Sequence, residues 1–242
     1  MSNPVFNQKV LQEDRVITSE PMTVNGTINK TFISFGFLLA SSLFVWNLYY
    51  QGFMDKVGML MVGGFIVSII AFITIMFNKN AMAIATPIYA VAEGLVLGGI
   101  SAQFERAYPG IAIQAISMTF MALLSMLFLY RIGAIKCTEK FRSVILMSTL
   151  SIAGIYLISI IGSFFGLHIP GIFSSGLIGI GFSLAVVVIA SLNLIIDFDF
   201  IERGAQNFLP KNYEWYGAFG LMVTLVWLYL EILNLLAKFR NR

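Results

Sequence analysis

The chain has 242 residues, of which 58% are hydrophobic and only 11% charged, with a mean hydropathy of +0.87 and a formal net charge of +3. Soluble domains carry about 25% charged residues, so a chain this poor in charge cannot cover a water-facing surface and takes lipid as much of its solvent. The small positive excess argues against a nucleic-acid partner, and the single cysteine, Cys137, and single histidine, His168, exclude an internal disulfide, a cysteine metal cluster and a multi-histidine site.

Residues 1–29 are polar, mix both charge signs and contain Pro4 and Pro21. They lack the basic start and apolar core of a cleavable leader and read as a polar cytoplasmic arm. Residues 30–238 read as a transmembrane domain and 239–242 as a basic tail. Seven apolar runs follow one another: Thr31 to Tyr50, Val57 to Phe77, Ala81 to Phe104, Ile111 to Tyr130, Ser143 to Phe165, Ile172 to about Phe200, and Trp215 to Ala237. Each reaches the roughly 20 residues that a helix needs to cross a bilayer. The runs are continuous, without the alternation of a barrel strand, and in lipid every backbone polar group needs an internal partner, so they are predicted helices. The breaks carry Asp55 and Lys56, Asn78-Lys79-Asn80, Pro109-Gly110, the basic loop with Arg131, Lys136, Lys140 and Arg142, a turn over Gly166 to Gly171, and a polar loop from Ile201 to Glu214 with Pro210. Cys137 and His168 fall in these connections and read as an inert thiol and a solvated loop residue.

Lysine and arginine set the orientation. The arm and the even-numbered loops hold Lys9, Arg15, Lys30, Lys79, Arg131, Lys136, Lys140, Arg142, Arg203 and Lys211, against Lys56, Arg106, Lys238, Arg240 and Arg242 on the other side, ten against five. The expected topology in a cell inner (plasma) membrane has a cytoplasmic N-terminus and a C-terminus outside, although the basic tail opposes it. Gly94, Gly98 and Gly99 in the third run, and Gly176, Gly179 and Gly181 near the start of the sixth, are small positions where helix backbones are expected to approach closely.

The informative residues are acids in apolar surroundings: Glu93 in the third run, Asp197 and Asp199 at the end of the sixth, and Glu231 deep in the seventh. An acid at the bilayer centre costs at least about 2.5–3.5 kcal/mol, and no Lys or Arg lies well inside a run to offset it. Either the acids are protonated, or they line an aqueous cavity and bind a cation; two close carboxyls would share one proton. Structural roles remain open beside this: a hydrogen-bonded acid tying helices together for Glu93 and Glu231, a solvated helix end for Asp199. Asn193 lies at i,i+4 from Asp197 and Asn234 at i+3 from Glu231, so each acid is expected to have an amide on its own face. Ser191 and Thr224 could extend such a seam.

The stretch Ser191-Leu192-Asn193-Leu194-Ile195-Ile196-Asp197-Phe198-Asp199-Phe200-Ile201 resembles the sixth-span motif of the transmembrane Bax-inhibitor-motif family. Leu228-Tyr229-Leu230-Glu231-Ile232-Leu233-Asn234-Leu235-Leu236 is similar to its seventh-span motif, with Glu231 where aspartate is usual. Asn3-Pro4-Val5-Phe6, Ala92-Glu93-Gly94 and Glu214-Trp215-Tyr216 resemble a bacterial, YccA-like branch. The resemblance implies six helices around a central seventh and a hydrogen-bonded carboxyl dyad, here Asp197 with Glu231, linked to a pH-dependent calcium leak. The basic residue that some relatives place after the second span has no Arg equivalent, and Lys79 is the nearest candidate. The two acids lie at different apparent depths, which leaves open whether they touch or whether Glu93 is a partner instead.

The expected function is a pH-sensitive cation channel or leak, calcium foremost, with Asp197, Glu231, Asp199, Glu93, Asn193 and Asn234 along the ion path and Asp197 and Glu231 as transient calcium ligands, since carboxylate and amide oxygens suit hard cations. No other cofactor is expected. The alternative is a regulatory membrane protein whose arm binds a membrane-anchored ATP-dependent protease, as the resemblance implies. An intramembrane enzyme is not expected: there is no histidine metal set, no serine beside a histidine in a span, and no Gly-x-Gly-Asp setting.

Overall fold

The computed structural model describes residues 20–165, 172 and 174–241. His168 lies outside these residues, as does most of the arm expected to contact a protease. The described residues form seven long helices: α1 Val24–Tyr50, α2 Met54–Phe77, α3 Met82–Ala107, α4 Ile111–Arg131, α5 Glu139–Phe164, α6 Leu177–Gln206 and α7 Tyr213–Arg240, with a short 3-10 turn Lys79–Ala81 before α3. All seven are long and apolar enough to cross a membrane, as the seven runs predict.

The helices overrun the apolar runs at most of their ends, because lipid sets the run while capping sets the helix. Thr23 starts α1: its side chain accepts from the Gly26 amide at 2.9 Å, so Val24 to Asn29, read from sequence as arm, are helical. Thr138 does the same for α5, accepting from the Phe141 amide at 3.2 Å. Side-chain acceptors of this kind satisfy amides that a helix start leaves unpaired. Between α3 and α4 the chain turns at Gly110, whose φ of 83° is a left-handed conformation that glycine adopts without strain.

By its internal contacts the chain divides into two compact units. One holds the described part of Gly110–Phe198 together with Thr224–Arg242; the other holds residues 20–109 together with Asp199–Val223. In the second unit α3 packs against α1 and α2. A Cβ on Gly94 would sit 2.3 Å from the Leu38 carbonyl oxygen, and one on Gly98 2.3 Å from that of Ser42. The backbones approach because these residues lack side chains, as expected for this stripe. The stripe at the start of α6 behaves differently. A Cβ on Gly181 would meet nothing within 4 Å and one on Gly176 only Ser174, so close helix contact is not their reason.

Aromatic rings fill the second unit. Phe219 meets Tyr89 and Phe72 edge-on, at centroid distances of 4.9 and 5.5 Å, and Tyr216 meets Phe200 and Tyr213. Edge-to-face pairs of this kind add to the area they bury. In the first unit Cys137, in the loop between α4 and α5, is buried with Ile145, Ile195 and Ile196. Burial is uneven across the helices. In the most apolar window it reaches 67% for α7 and 50% for α3 and α6, against 17–22% for the other four. All four acids singled out from the sequence stand on the three most buried helices.

Candidate functional site

In the first unit α6 and α7 run antiparallel, and their register can be read from two contacts. Lys238 donates to the Ser183 hydroxyl at 2.8 Å, and Thr224 faces Asp197. Fourteen residues separate Ser183 from Asp197, and fourteen separate Thr224 from Lys238, so the two contacts belong to one register. That register sets Glu231 level with Ala190, seven residues from Asp197, or about 10 Å along the axis at 1.5 Å per residue. The structure therefore does not bring Asp197 and Glu231 together as a hydrogen-bonded dyad. The depth mismatch between the two motifs is physical: each motif lies far enough along its own helix that the acids pass one another.

Asp197 is fully buried, and neither carboxylate oxygen has a hydrogen-bond partner. Thr224 approaches it without reaching hydrogen-bond geometry. Leu194, Ile195 and Ile196, which precede it on α6, are also buried. A polar group desolvated without a partner costs about 1–3 kcal/mol by mutational measures, and more when charged. Asn193, one turn earlier, points elsewhere: its amide donates to the Thr149 hydroxyl of α5 and to the Ile189 carbonyl, both at 2.9 Å. It ties α6 to α5 and leaves the acid unattended.

Glu231 is well partnered. Tyr156 of α5 donates its hydroxyl to Glu231 Oε1 at 2.7 Å, and Trp227, four residues earlier on α7, donates Nε1 at 3.2 Å. Tyr156 is in turn stacked edge-on against Phe182. The expected amide neighbour is absent from this arrangement, because Asn234 is exposed whereas Glu231 is buried. Trp227, at i−4, is only partly buried, but its long indole reaches back to the carboxyl. Lys238 lies at i+7 on the same face and donates to the Ile172 and Gly179 carbonyls at 3.1 Å as well as to Ser183.

The remaining acids belong to the second unit. Asp199 is buried and pairs with Arg203 at 2.9 Å, one turn along α6. The helix continues to Gln206, so Asp199 is an ion-paired residue within it and not a solvated helix end. Glu93 stands beside Ser68 of α2 and Tyr89 of its own helix. Glu214, which the sequence did not offer as a site residue, is a buried carboxylate that gathers the start of α1. It accepts from the Thr23 amide at 2.9 Å and the Thr23 hydroxyl at 3.0 Å, and pairs with Lys30. Lys30 also lies over the Trp215 ring, 5.5 Å from its centroid. Nearby, Met22 donates its amide to the Leu209 carbonyl at 2.7 Å, and Lys211 pairs with Glu20. The hydrogen bond and charge from Lys211 hold the Glu20 carboxyl below its ordinary range and raise the Lys211 ammonium in return.

Among the described residues no three metal-ligating side chains converge, and Asp197 and Glu231 are offset by about 10 Å along the helix axis. Chemically the first unit offers two carboxyls in series along one helix pair, one orphaned and one held by a phenol and an indole. The sequence missed Tyr156, Trp227 and Lys238. Trp227 and Lys238 carried a faint signal, at i−4 and i+7 from Glu231; Tyr156 carried none. In a scan against family models, one described as Bax inhibitor 1 like matches residues 3–241, which takes in every described residue. No significant match was found among curated proteins or among solved structures.

Proposed function

The chain belongs to the Bax inhibitor 1 like family and has seven helices long and apolar enough to cross a membrane, and we propose that it is a pH-sensitive leak for cations, calcium foremost, in the plasma membrane. The observation that carries this reading is Asp197, a fully buried carboxyl without a hydrogen bond in a membrane-spanning helix. An ionised carboxylate in that position is penalised by several kcal/mol. A proton relieves the penalty, and so does a cation. The two compete for one group, and that competition makes cation passage depend on pH. Glu231, about 10 Å further along the same helix pair, is the second station, and the Tyr156 and Trp227 hydrogen bonds keep its carboxylate in place between passages. The gate is thus two separate acids in series, in place of the shared-proton pair that the resemblance implies. In this reading the chain is a passive path and not an enzyme, calcium is a passenger and not a resident cofactor, and the basic loops put the N-terminus in the cytoplasm and the C-terminus outside.

Calcium flux into proteoliposomes, measured across a pH series, tests the proposal. Asp197→Asn is expected to abolish the pH dependence and to lower the flux. Unchanged flux with unchanged pH dependence in that variant would overturn it. Reporter fusions at the C-terminus test the orientation: activity of a reporter that works only in the cytoplasm would reverse the assignment.

A further inference from the structure

We infer that Lys238 is the charge that limits how readily cations reach Glu231 from the C-terminal end of α7, an inference that rests on the leak proposed above. The Lys238 ammonium donates to the Ser183 hydroxyl at 2.8 Å and to the Gly179 and Ile172 carbonyls at 3.1 Å. All three of its protons are thereby engaged, so the charge is fixed in position. All three acceptors are neutral, and among the described residues no carboxylate pairs with it, so the charge is not cancelled. Glu231 lies seven residues back on the same face, about 10 Å away along the axis, too far for an ion pair and near enough for each to feel the other's field. The last turn of a helix is also where its dipole favours a cation. A cation approaching Glu231 from that end must pass a positive charge that cannot swing aside without breaking three hydrogen bonds.

The repulsion scales with the charge of the passing ion, and this separates an electrostatic role from a mechanical one. At about 10 Å and an effective dielectric of about 40, between that of a protein surface and that of water, one fixed charge slows a monovalent ion about fourfold and a divalent ion by the square of that, about sixteenfold. A lysine that merely staples the first turn of α6 to the end of α7 would, on removal, raise all fluxes alike.

The test is flux of calcium and of potassium through the full chain in proteoliposomes. Lys238→Gln is expected to raise calcium flux about sixteenfold and potassium flux about fourfold, and Lys238→Arg, which restores the charge, to return both toward the wild-type level. Equal increases for the two ions, no increase for either, or an increase in Lys238→Arg matching that in Lys238→Gln would overturn the inference. A measurement on the unaltered protein guards against a variant that misfolds: raising ionic strength with an impermeant salt screens the charge and should raise calcium flux, and no response would equally count against it. The two proposals fail separately. Loss of flux in Asp197→Asn with no change in Lys238→Gln removes the role of Lys238 alone, whereas unchanged flux in Asp197→Asn removes the leak itself.

Discussion

Replacing Asp197 by leucine should make the protein more stable, the reverse of the usual outcome for a buried residue. Leucine has the same branched heavy-atom skeleton as aspartate, so the change swaps two unpartnered oxygens for two methyl groups. The structure gives the wild-type carboxyl full burial and no hydrogen bond. Removing an unsatisfied buried polar group returns about 1–3 kcal/mol, and overpacking by the slightly larger methyls takes back less than about 1.5 kcal/mol. The difference centres on a gain of about 1 kcal/mol, and for a chain of this size about 2–4 °C in Tm per kcal/mol predicts a rise of roughly 2–4 °C. The sign is the same whether the carboxyl is charged or neutral. The assay is thermal unfolding of the detergent-solubilised protein with a chelator present, so that no bound cation stabilises the wild type. Asp199→Leu is the control: it discards the 2.9 Å pair with Arg203 and should lower the Tm slightly, since a pair with a partly exposed arginine contributes about 0.3–1 kcal/mol. Two acids two residues apart should thus move the melting point in opposite directions. A drop in Tm for Asp197→Leu, matching that of Asp199→Leu, would show that Asp197 is partnered and would refute the argument.

Gly98→Ala should cost about 1–3 kcal/mol, because its Cβ would lie 2.3 Å from a backbone oxygen, while Gly63→Ala, which meets nothing within 4 Å, should be neutral or gain up to about 1 kcal/mol of helix propensity; the same melts compare them. Tyr156→Phe removes the 2.7 Å bond to Glu231 and should lower stability by about 1.5–3 kcal/mol if the acceptor is ionised, or about 1 kcal/mol if it is not, so the size of the change in Tm reports the state of Glu231. Glu214→Gln keeps an acceptor for Thr23 but loses the charge facing Lys30, and hydrogen exchange at the Thr23 and Gly26 amides should accelerate by about tenfold, the equivalent of about 1.4 kcal/mol. The Glu20 carboxyl, held low by Lys211, contributes its small stabilisation at neutral pH and loses it as pH falls through its depressed folded value; in a carbon-13 titration Lys211→Met should return Glu20 to the ordinary glutamate range.

Much of the fold was legible because lipid imposes a simple rule. A run such as Val57 to Phe77 can only be a helix that spans, and α2 is Met54–Phe77. What the rule does not reveal is where a helix ends once it leaves the apolar layer. Val24 to Asn29 looked like arm and are helix, because the Thr23 cap and not hydropathy decides that boundary. The acids were legible as exceptions to the rule, but their company was not. Asn234 seemed to share a face with Glu231 by nominal spacing and is exposed, while Trp227, at an equally allowed spacing, bonds it. Tyr156 sits 75 residues away on another helix, and no periodicity on either helix predicts that meeting. The register of α6 against α7, which separates Asp197 from Glu231, likewise depends on side-chain packing between helices that look uniformly apolar in sequence.

The contact between Glu214 and the start of α1 has a consequence for how the chain is assembled. The first turn of α1 contains no acidic residue of its own, so the negative charge that favours a helix N-terminus comes from Glu214, 191 residues after Thr23. Synthesis at about 5–20 residues per second separates the two by roughly ten to forty seconds. During that interval the first helix exists with an incomplete beginning. Its opening turn gains that charge only when the start of α7 arrives, so a later segment of the chain completes an earlier one.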